Sequence, residues 1–351
     1  MKAMVVASHS EPCVARLIDA NLDRAREGLR VVEDWCRFGL ERLDLVEPLK
    51  HWRQQLGQCH HSHYKQARST AGDVAAGLAH PAQQQRPQPG QIVAANCARV
   101  QEALRVLEEF GRSQDPVLAS TAAAIRYGLY DLEVRILEAG VRHDRCQRLA
   151  ACTLCLITAP GAEMLARVQA ALQAGVGLIQ YRAKDGHDRE RLAEAQALAD
   201  LCRAHGALFI VNDRIDLALL VDADGVHLGQ DDLPTDAARR LIGESRLLGR
   251  STHNLAQLEA AQQDDCDYLG VGPIYATGTK PEKVPQGLLW ARQASDHATL
   301  PWFAIGGIQA DRLPELLDAG VCRVAVVGAI MAAADSGAAT ETLLKALTPQ
   351  P

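Results

Sequence analysis

Apolar positions in the C-terminal part of the chain follow two alternating patterns. Short apolar runs closed by turn residues alternate with longer Ala- and Leu-rich stretches in which apolar residues recur every three or four positions. The first pattern predicts buried β-strands and the second predicts amphipathic helices. The apolar runs lie at 154–158, 177–182, 208–213, 225–229, 247–252, 268–274, 302–308 and 323–330.

The alternation of eight runs with helical stretches favours a closed parallel barrel, because such barrels need about 200 residues or more and pair each strand with a following helix. An open, doubly wound sheet is the alternative. It would gather its polar residues at one switch point, whereas here they follow many runs at once. The sequence therefore predicts an α/β fold class, with a C-terminal (βα)8 TIM barrel over residues 151–351.

The first 150 residues have a different pattern, helical almost throughout, which predicts an all-α N-terminal domain over residues 1–150. This part contains an internal repeat: IDANLDRAREGLRVVEDWCRFG from Ile18 and IVAANCARVQEALRVLEEFGRS from Ile92. An offset of 75 residues superposes two polar rows of Asn, Arg, Glu, Arg and Glu. The rows are Asn21, Arg24, Glu27, Arg30 and Glu33 in the first copy and Asn96, Arg99, Glu102, Arg105 and Glu108 in the second.

The spacing of three within each row keeps its members along one slowly drifting helix face. One interpretation is a surface row of ion pairs, and the other is that the two faces meet in a polar pocket. Further candidates to line such a pocket are Arg68, Thr70 and Asp73.

Composition excludes several classes of function. The 351 residues carry a formal charge of −6 and only 4% aromatics, so there is neither a basic field nor a set of stacking platforms for nucleic acid. No apolar run reaches about 18 residues, and the N-terminus lacks a basic segment followed by a long apolar one. We therefore expect a cytoplasmic protein with neither membrane nor nucleic-acid partners. The sequence leaves open whether it forms a homo-oligomer.

Polar residues at the ends of the second, third and fourth runs point to a metal-assisted anion site. Gln180, Arg182 and Lys184 alternate, so their side chains share one face of an extended segment, and two cations there suit an anion. Asp213 closes the third run and Asp232 follows the fourth. Carboxylates that converge at a barrel mouth suit Mg²⁺, which takes the rest of its ligands from water and substrate phosphates.

A second set of residues follows the later runs. The sixth run ends in GPIYATGTK, which contains Thr277, Thr279 and Lys280. The last two runs carry glycines, among them Gly306, Gly307 and Gly328. Glycines after the last two strands let backbone N–H groups approach a phosphate, which is the common phosphate site of such barrels.

The segments GLIQYRAK, FIVNDR, GVHLGQDDL, GPIYATGTK and AIGGI, in this order and spacing, resemble the motif series of thiamine phosphate synthases over about residues 151–345. The resemblance implies that a pyrimidine diphosphate is held by Gln180, Arg182, Lys184, Asn212, Ser251 and Lys280, that Mg²⁺ is held by Asp213 and Asp232, and that a thiazole phosphate is held by Thr277, Thr279, Gly306, Gly307, Val327 and Gly328. Within these sets it implies a catalytic role for Arg182, Lys184, Ser251 and Lys280. The chain departs from the family pattern at Gly328, where the family usually has Ser.

The reaction implied by the resemblance is dissociative. The bond from the pyrimidine methylene to the diphosphate breaks, the thiazole nitrogen captures the cation, and pyrophosphate leaves. The first 150 residues resemble a helical domain that is fused to some of these synthases, which implies phosphorylation of hydroxymethylpyrimidine phosphate by this part. Three alternatives remain for the barrel: a thiazole tautomerase, a non-catalytic binder of thiamine precursors, and an aldolase that forms a Schiff base at Lys280.

Overall fold

The computed structural model describes residues 11–69, 86–278 and 284–348. The chain divides into two compact units, Met1–Gly140 and Val141–Pro351. This division falls inside a long helix, Pro116–Ala151, whereas the sequence pattern changes later, where that helix ends and the first strand begins.

The regular secondary structure of the N-terminal unit is entirely helical in its described residues. Gly28 on the first helix packs against the fourth helix so closely that an added Cβ would lie 2.5 Å from Val100 Cγ2. The two repeat asparagines make equivalent bonds, since Asn21 Nδ2 donates to Leu17 O at 2.9 Å and Asn96 Nδ2 donates to Ile92 O at 2.8 Å. The helices, the last of which continues into the second unit, are α1 (Glu11–Asp34), α2 (Leu43–Gln58), α3 (Ser62–Gln66), α4 (Pro89–Gly111) and α5 (Pro116–Ala151), with a π-helical turn at Trp35–Gly39 after α1.

The two polar rows of the repeat do not share one pocket within the described residues. The arginines and the first glutamate of each row are exposed. The last glutamates pair with different helices, Glu33 with Arg53 on α2 and Glu108 with Arg126 on α5. The structure therefore favours the surface interpretation. Arg68 instead pairs with Asp19, and the other two candidates, Thr70 and Asp73, lie outside the described residues.

The second unit contains the predicted closed barrel. All eight strands are parallel and follow the order of the chain, and β1 pairs with β8 through the register Leu154↔Val324. The strands are β1 (Leu154–Ile157), β2 (Leu178–Tyr181), β3 (Leu208–Asn212), β4 (Gly225–Leu228), β5 (Leu247–Thr252), β6 (Tyr268–Val271), β7 (Trp302–Ile305) and β8 (Val324–Val326). The helices are α6 (Met164–Gln173), α7 (Asp188–His205), α8 (Ile215–Leu220), α9 (Thr235–Ile242), α10 (Leu255–Gln263), α11 (Gly287–His297), α12 (Leu313–Asp318), α13 (Gly328–Met331) and α14 (Ser336–Leu347), with a 3₁₀ turn at Ala310–Arg312.

The end of α5 closes the lower end of the barrel, below the N-terminal ends of the strands. Leu149 is fully buried in one cluster with interior strand residues such as Leu178. Two arginines fix this segment: Arg142 Nε lies 2.7 Å from Asp267 Oδ1, and Arg145 Nε lies 2.9 Å from Asp224 Oδ1. The cavity described below therefore opens at the opposite end of the barrel, at the C-terminal ends of the strands.

None of the helices in the described part of the chain combines the length and the apolar character needed to cross a membrane.

Candidate active site

A cavity of about 490 Å³ opens at the C-terminal mouth of the barrel. Residues after most of the strands line it, as expected for a barrel active site. Those predicted from the sequence are Gln180, Arg182, Asn212, Ser251, Thr277, Gly306, Gly307, Val327 and Gly328. The loop after β6 also contains Thr279 and Lys280, which lie outside the described residues.

The end of β2 supplies an amide and a cation. Gln180 is buried, and Arg182 is held by its backbone N–H, which donates to Thr158 Oγ1 at 3.0 Å. The Arg182 guanidinium makes no ion pair with any described residue, so its charge is available to an anion in the cavity. Lys184 is exposed and does not line the cavity, while its carbonyl accepts a bond from Arg191 at 2.6 Å.

The ends of β3 and β4 hold the two predicted carboxylates beside the cavity rather than in its lining. Asp213 has a left-handed backbone with φ of 62°, and its N–H donates to His227 O on the neighbouring strand at 2.9 Å. Asp232 Oδ2 accepts from the Gly229 N–H at 2.6 Å, which orients this carboxylate. In the part of the chain that the structure describes, no group of three or more His, Cys, Asp or Glu side chains could hold a metal ion. A Mg²⁺ ion bound to these two carboxylates would therefore need further ligands from substrate or water.

A hydrogen-bonded network that the sequence reasoning missed supports Ser251. His227 Nε2 lies 2.9 Å from Ser251 Oγ, and its Nδ1 lies 3.2 Å from Tyr268 Oη. Burial raises the pKa of Tyr268 well above its usual range, so the phenol stays protonated. The only sequence signal was positional, since His227 alternates with apolar residues in GVHLG and so faces the barrel interior.

Arg312 is a second residue that the sequence reasoning missed. It lines the cavity, donates to Gly307 O at 2.9 Å, and places its guanidinium 4.3 Å from the centre of the Tyr275 ring. It lies within the ADRLPELL stretch, which showed only a helical pattern. The arginine thus adds a cation on the side of the cavity that carries the glycines.

The glycines after β7 cannot be replaced without strain. Gly306 and Gly307 have φ of 104° and 62°, and a Cβ at Gly307 would lie 2.3 Å from Ala276 O. Gly328 differs, because an added Cβ would meet nothing within 4 Å there. The absence of a side chain is thus required at Gly307 but not at Gly328.

Comparison with known proteins agrees with this geometry. A family model described as thiamine monophosphate synthase matches residues 154–330. A thiamine-phosphate synthase from Synechococcus sp. (strain WH7803) is 63% identical over 99% of this chain and 100% of its own length. This chain belongs to the thiamine monophosphate synthase family. The predicted family, and with it the prediction of an enzyme, is confirmed.

Other members of the family give the same result. The thiamine-phosphate synthase of Synechocystis sp. (strain ATCC 27184 / PCC 6803 / Kazusa) is 47% identical over 97% of this chain and 98% of its own length. The solved structure of a thiamine phosphate pyrophosphorylase from Pyrococcus furiosus is 36% identical with a TM-score of 0.53, and the match covers 57% of this chain and 97% of that one. A second family model, described as the ThiD2 family, matches residues 16–135. The N-terminal part thus matches a different family model from the one that matches the barrel.

Proposed function

We propose that the barrel condenses 4-amino-2-methyl-5-(diphosphooxymethyl)pyrimidine with 4-methyl-5-(2-phosphooxyethyl)thiazole to give thiamine phosphate and pyrophosphate. The observation that carries the proposal is that one cavity brings together three kinds of group. These are side-chain amides, the Arg182 cation, and glycines after the last two strands that let backbone N–H groups approach a phosphate. The relatives named thiamine-phosphate synthases, which match almost the whole chain, support it.

The described residues divide into two groups in this proposal. The amides of Gln180 and Asn212 orient the aminopyrimidine, Arg182 binds its diphosphate, and Ser251, held by His227, donates its hydroxyl to the same substrate. The thiazole phosphate lies against Thr277 and the backbone of the residues after β7 and β8. The Arg312 guanidinium, which donates to Gly307 O, adds a cation on this side. Lys184 reaches the diphosphate from the exposed loop after β2, and Lys280 and Thr279 act from the loop after β6.

The carboxylates of Asp213 and Asp232 fit Mg²⁺. They are hard oxygen donors that follow neighbouring strands, and in the described part of the chain the other oxygen of Asp232 accepts no hydrogen bond. When bound, Mg²⁺ would neutralise charge on the diphosphate. The two carboxylates alone leave most of its coordination shell to substrate oxygens and water.

The chemistry requires charge stabilisation more than proton transfer. The methylene–oxygen bond of the diphosphate breaks, the pyrimidine ring stabilises the cation, and the thiazole nitrogen supplies the electron pair of the new bond. The cations of Arg182, Lys184 and Lys280 stabilise the leaving pyrophosphate, and such preorganised charges are often the largest catalytic term. Removal of one of them should cost roughly 3 kcal/mol, or about a hundredfold in rate.

The direct test incubates the chain with both substrates and Mg²⁺ and measures pyrophosphate and thiamine phosphate. We expect equal amounts of both products and loss of turnover with a chelator. Conversion of a thiazole tautomer without pyrophosphate would favour the tautomerase alternative. Tight binding of both substrates without turnover would favour the binder, and borohydride trapping of a carbonyl substrate at Lys280 would favour the aldolase.

We propose for the helical unit the phosphorylation of hydroxymethylpyrimidine phosphate, which would supply the diphosphate substrate of the barrel. The match of residues 16–135 to the ThiD2 family, separate from the barrel match, supports a second activity on the chain. The test is ATP-dependent formation of the pyrimidine diphosphate by the chain. Absence of this product would remove the second activity without affecting the first.

A further inference from the structure

An open groove in the helical unit carries a concentration of positive charge. It has a volume of about 1210 Å³ and is bordered by α1, the π-helical turn and α2. Among the described residues, its acidic lining consists of Glu33, Glu41 and Glu47. Its cations are Arg26, Arg30, Arg37, Arg42, Lys50 and Arg53. The groove is therefore cationic although the whole chain has a formal charge of −6.

Half of these cations lack an acidic partner. Arg26, Arg37 and Lys50 make no ion pair with any described residue. Arg26 Nε is buried from solvent and has no hydrogen-bond partner among the described atoms, a state that a bound anion would relieve. Arg37 stacks on the Phe38 ring at 4.8 Å but, like Arg26 and Lys50, has no acidic partner among the described residues, so an anion could supply the charge-assisted hydrogen bonds that these cations lack.

One side of the groove is held in place by a buried acid. Glu33 is 3% exposed and pairs with Arg53 across from α1 to α2. This pair orients the Arg53 guanidinium. The neighbouring Arg30 forms an ion pair with Asp34, with 2.9 Å between Arg30 Nε and Asp34 Oδ2. The groove thus combines fixed cations with unpaired ones.

The internal repeat provides a comparison within the same fold. The 75-residue offset places Gln101 at the position of Arg26 and Arg112 at the position of Arg37. Gln101 donates to Glu133 at 2.6 Å, and Arg112 lies 3.2 Å from both Glu108 and Glu109. The second copy therefore neutralises the positions that the first copy leaves unpaired, so the excess charge is not a by-product of the repeated helix.

We propose that this groove binds the phosphate groups of a small molecule, with Arg26 and Arg37 as direct ligands. The proposal deepens the proposed function of the helical unit and rests on it for the choice of ligand. A nucleoside triphosphate and a phosphate monoester share the required chemistry, because both present several anionic oxygens to planar guanidinium groups. The exposed groove has room for either.

The experiment is calorimetric titration of the full chain with three probes: ATP, inorganic triphosphate and hydroxymethylpyrimidine phosphate. The variants are Arg26→Gln, which copies the residue of the second repeat, and Arg37→Gln. The matched control is Arg112→Gln, the repeat equivalent of Arg37. Circular dichroism melting and synthase turnover of each variant verify that both units remain folded.

We expect each groove variant to weaken binding of at least one probe about tenfold or more, as loss of a charge-assisted hydrogen bond should, while Arg112→Gln binds like the unaltered chain. Weakened ATP and triphosphate binding identifies a nucleotide site, and weakened binding of the pyrimidine probe alone identifies a monoester site. Unchanged binding of all probes by both groove variants overturns the proposal, as does an equal loss in Arg112→Gln. If binding depends on the groove but no phosphoryl transfer occurs, the kinase proposal fails and the groove assignment stands.

Discussion

The backbone of Asp213 determines how its charge can be tested. At φ of 62°, alanine would add left-handed strain, whereas Asn tolerates this conformation and removes only the charge. We predict that Asp213→Asn lowers synthase kcat by about a hundredfold or more and leaves the fold intact, because it removes a proposed ligand of Mg²⁺.

Asp222→Asn is the control for Asp213→Asn. Asp222 also has a positive φ, of 49°, but it pairs with Arg246 at an exposed position away from the cavity. Steady-state kinetics as a function of Mg²⁺ concentration should show normal turnover for Asp222→Asn. Normal turnover of Asp213→Asn without Mg²⁺ would contradict the metal assignment.

Gly328 offers a gain-of-contact test. Because a Cβ there meets nothing within 4 Å, Gly328→Ser should fold normally and add one hydroxyl at the proposed thiazole phosphate site. We predict a KM for the thiazole phosphate several-fold lower, consistent with one hydrogen bond of about 1 kcal/mol, and an unchanged KM for the pyrimidine diphosphate.

Gly307→Ala is the contrasting variant, since its Cβ would lie 2.3 Å from Ala276 O in a left-handed backbone. It should raise the KM for thiazole phosphate or destabilise the barrel. A KM for thiazole phosphate that stays the same in Gly328→Ser would remove this position from the phosphate site.

Which residues line the cavity could be predicted where side-chain type and strand position were enough. Arg182 and Asn212 lie at strand ends, and strand ends can be read from the apolar runs. His227 and Arg312 were missed because their importance lies in partners distant in sequence, Ser251 and Tyr275. Such pairs depend on the register between strands and on loop paths, which local patterns do not specify.

At the scale of elements, β6 is fixed at its lower end by a buried ion network. Asp267 is 8% exposed and pairs with Arg142 of α5 and Arg239 of α9. We predict that Asp267→Ala lowers the free energy of unfolding of the barrel by about 3 kcal/mol, because it removes the buried carboxylate that both arginines share and leaves them paired with the more exposed Asp265. Urea unfolding should detect this change, with KM values unaltered in the folded protein.

The comparison variant for Asp267→Ala is Asp236→Ala, which removes an exposed pair with Arg240 within α9. Exposed pairs of this kind contribute about 0.5 kcal/mol or less. A comparable, small effect of both substitutions would show that the network does not stabilise the barrel.

The packing of α3 on α1 should depend on pH through Asp19. Burial raises the pKa of Asp19, but hydrogen bonds from Arg68 and His60 outweigh it and hold the pKa below the ordinary 3.8. The stabilisation is therefore fully present above pH 3.8 and is lost as the pH falls through the lowered value. We predict that Asp19→Asn destabilises the helical unit at neutral pH, by a difference that shrinks in acid.

Thermal unfolding of Asp19→Asn and the unaltered chain between neutral pH and strong acid measures this difference. Asp131→Asn, at an exposed position of α5, is the control. A stability difference for Asp19→Asn that stays constant as the pH falls would contradict the assignment of the stabilisation to the ionised carboxylate.

At the scale of the whole molecule, the barrel unit begins before its first strand. The last turns of α5 contribute buried Leu149 and the ion pairs of Arg142 and Arg145. We predict that a fragment from Val141 onward folds and keeps synthase activity. A fragment from Cys152 onward should be less stable by several kcal/mol, since it loses a buried leucine and leaves Asp267 and Asp224 without these partners.

Urea unfolding of the two fragments compares their stability, and Leu149→Ala in the longer fragment isolates the packing contribution of about 2–5 kcal/mol. Equal stability of the two fragments would show that the stable barrel unit begins at its first strand, without the last turns of α5.

The sequence by itself determined the strand order, the (βα)8 class, the family and nine of the residues that line the cavity. Apolar periodicity reports burial locally, and parallel strands joined by helices leave few ways to close a sheet. Only the tertiary structure decided where the compact units divide, that the repeat's polar rows do not share a pocket, and that His227 joins Ser251 to Tyr268. Each of these depends on which distant side chains meet, and that is set by packing and strand register rather than by spacing along the chain.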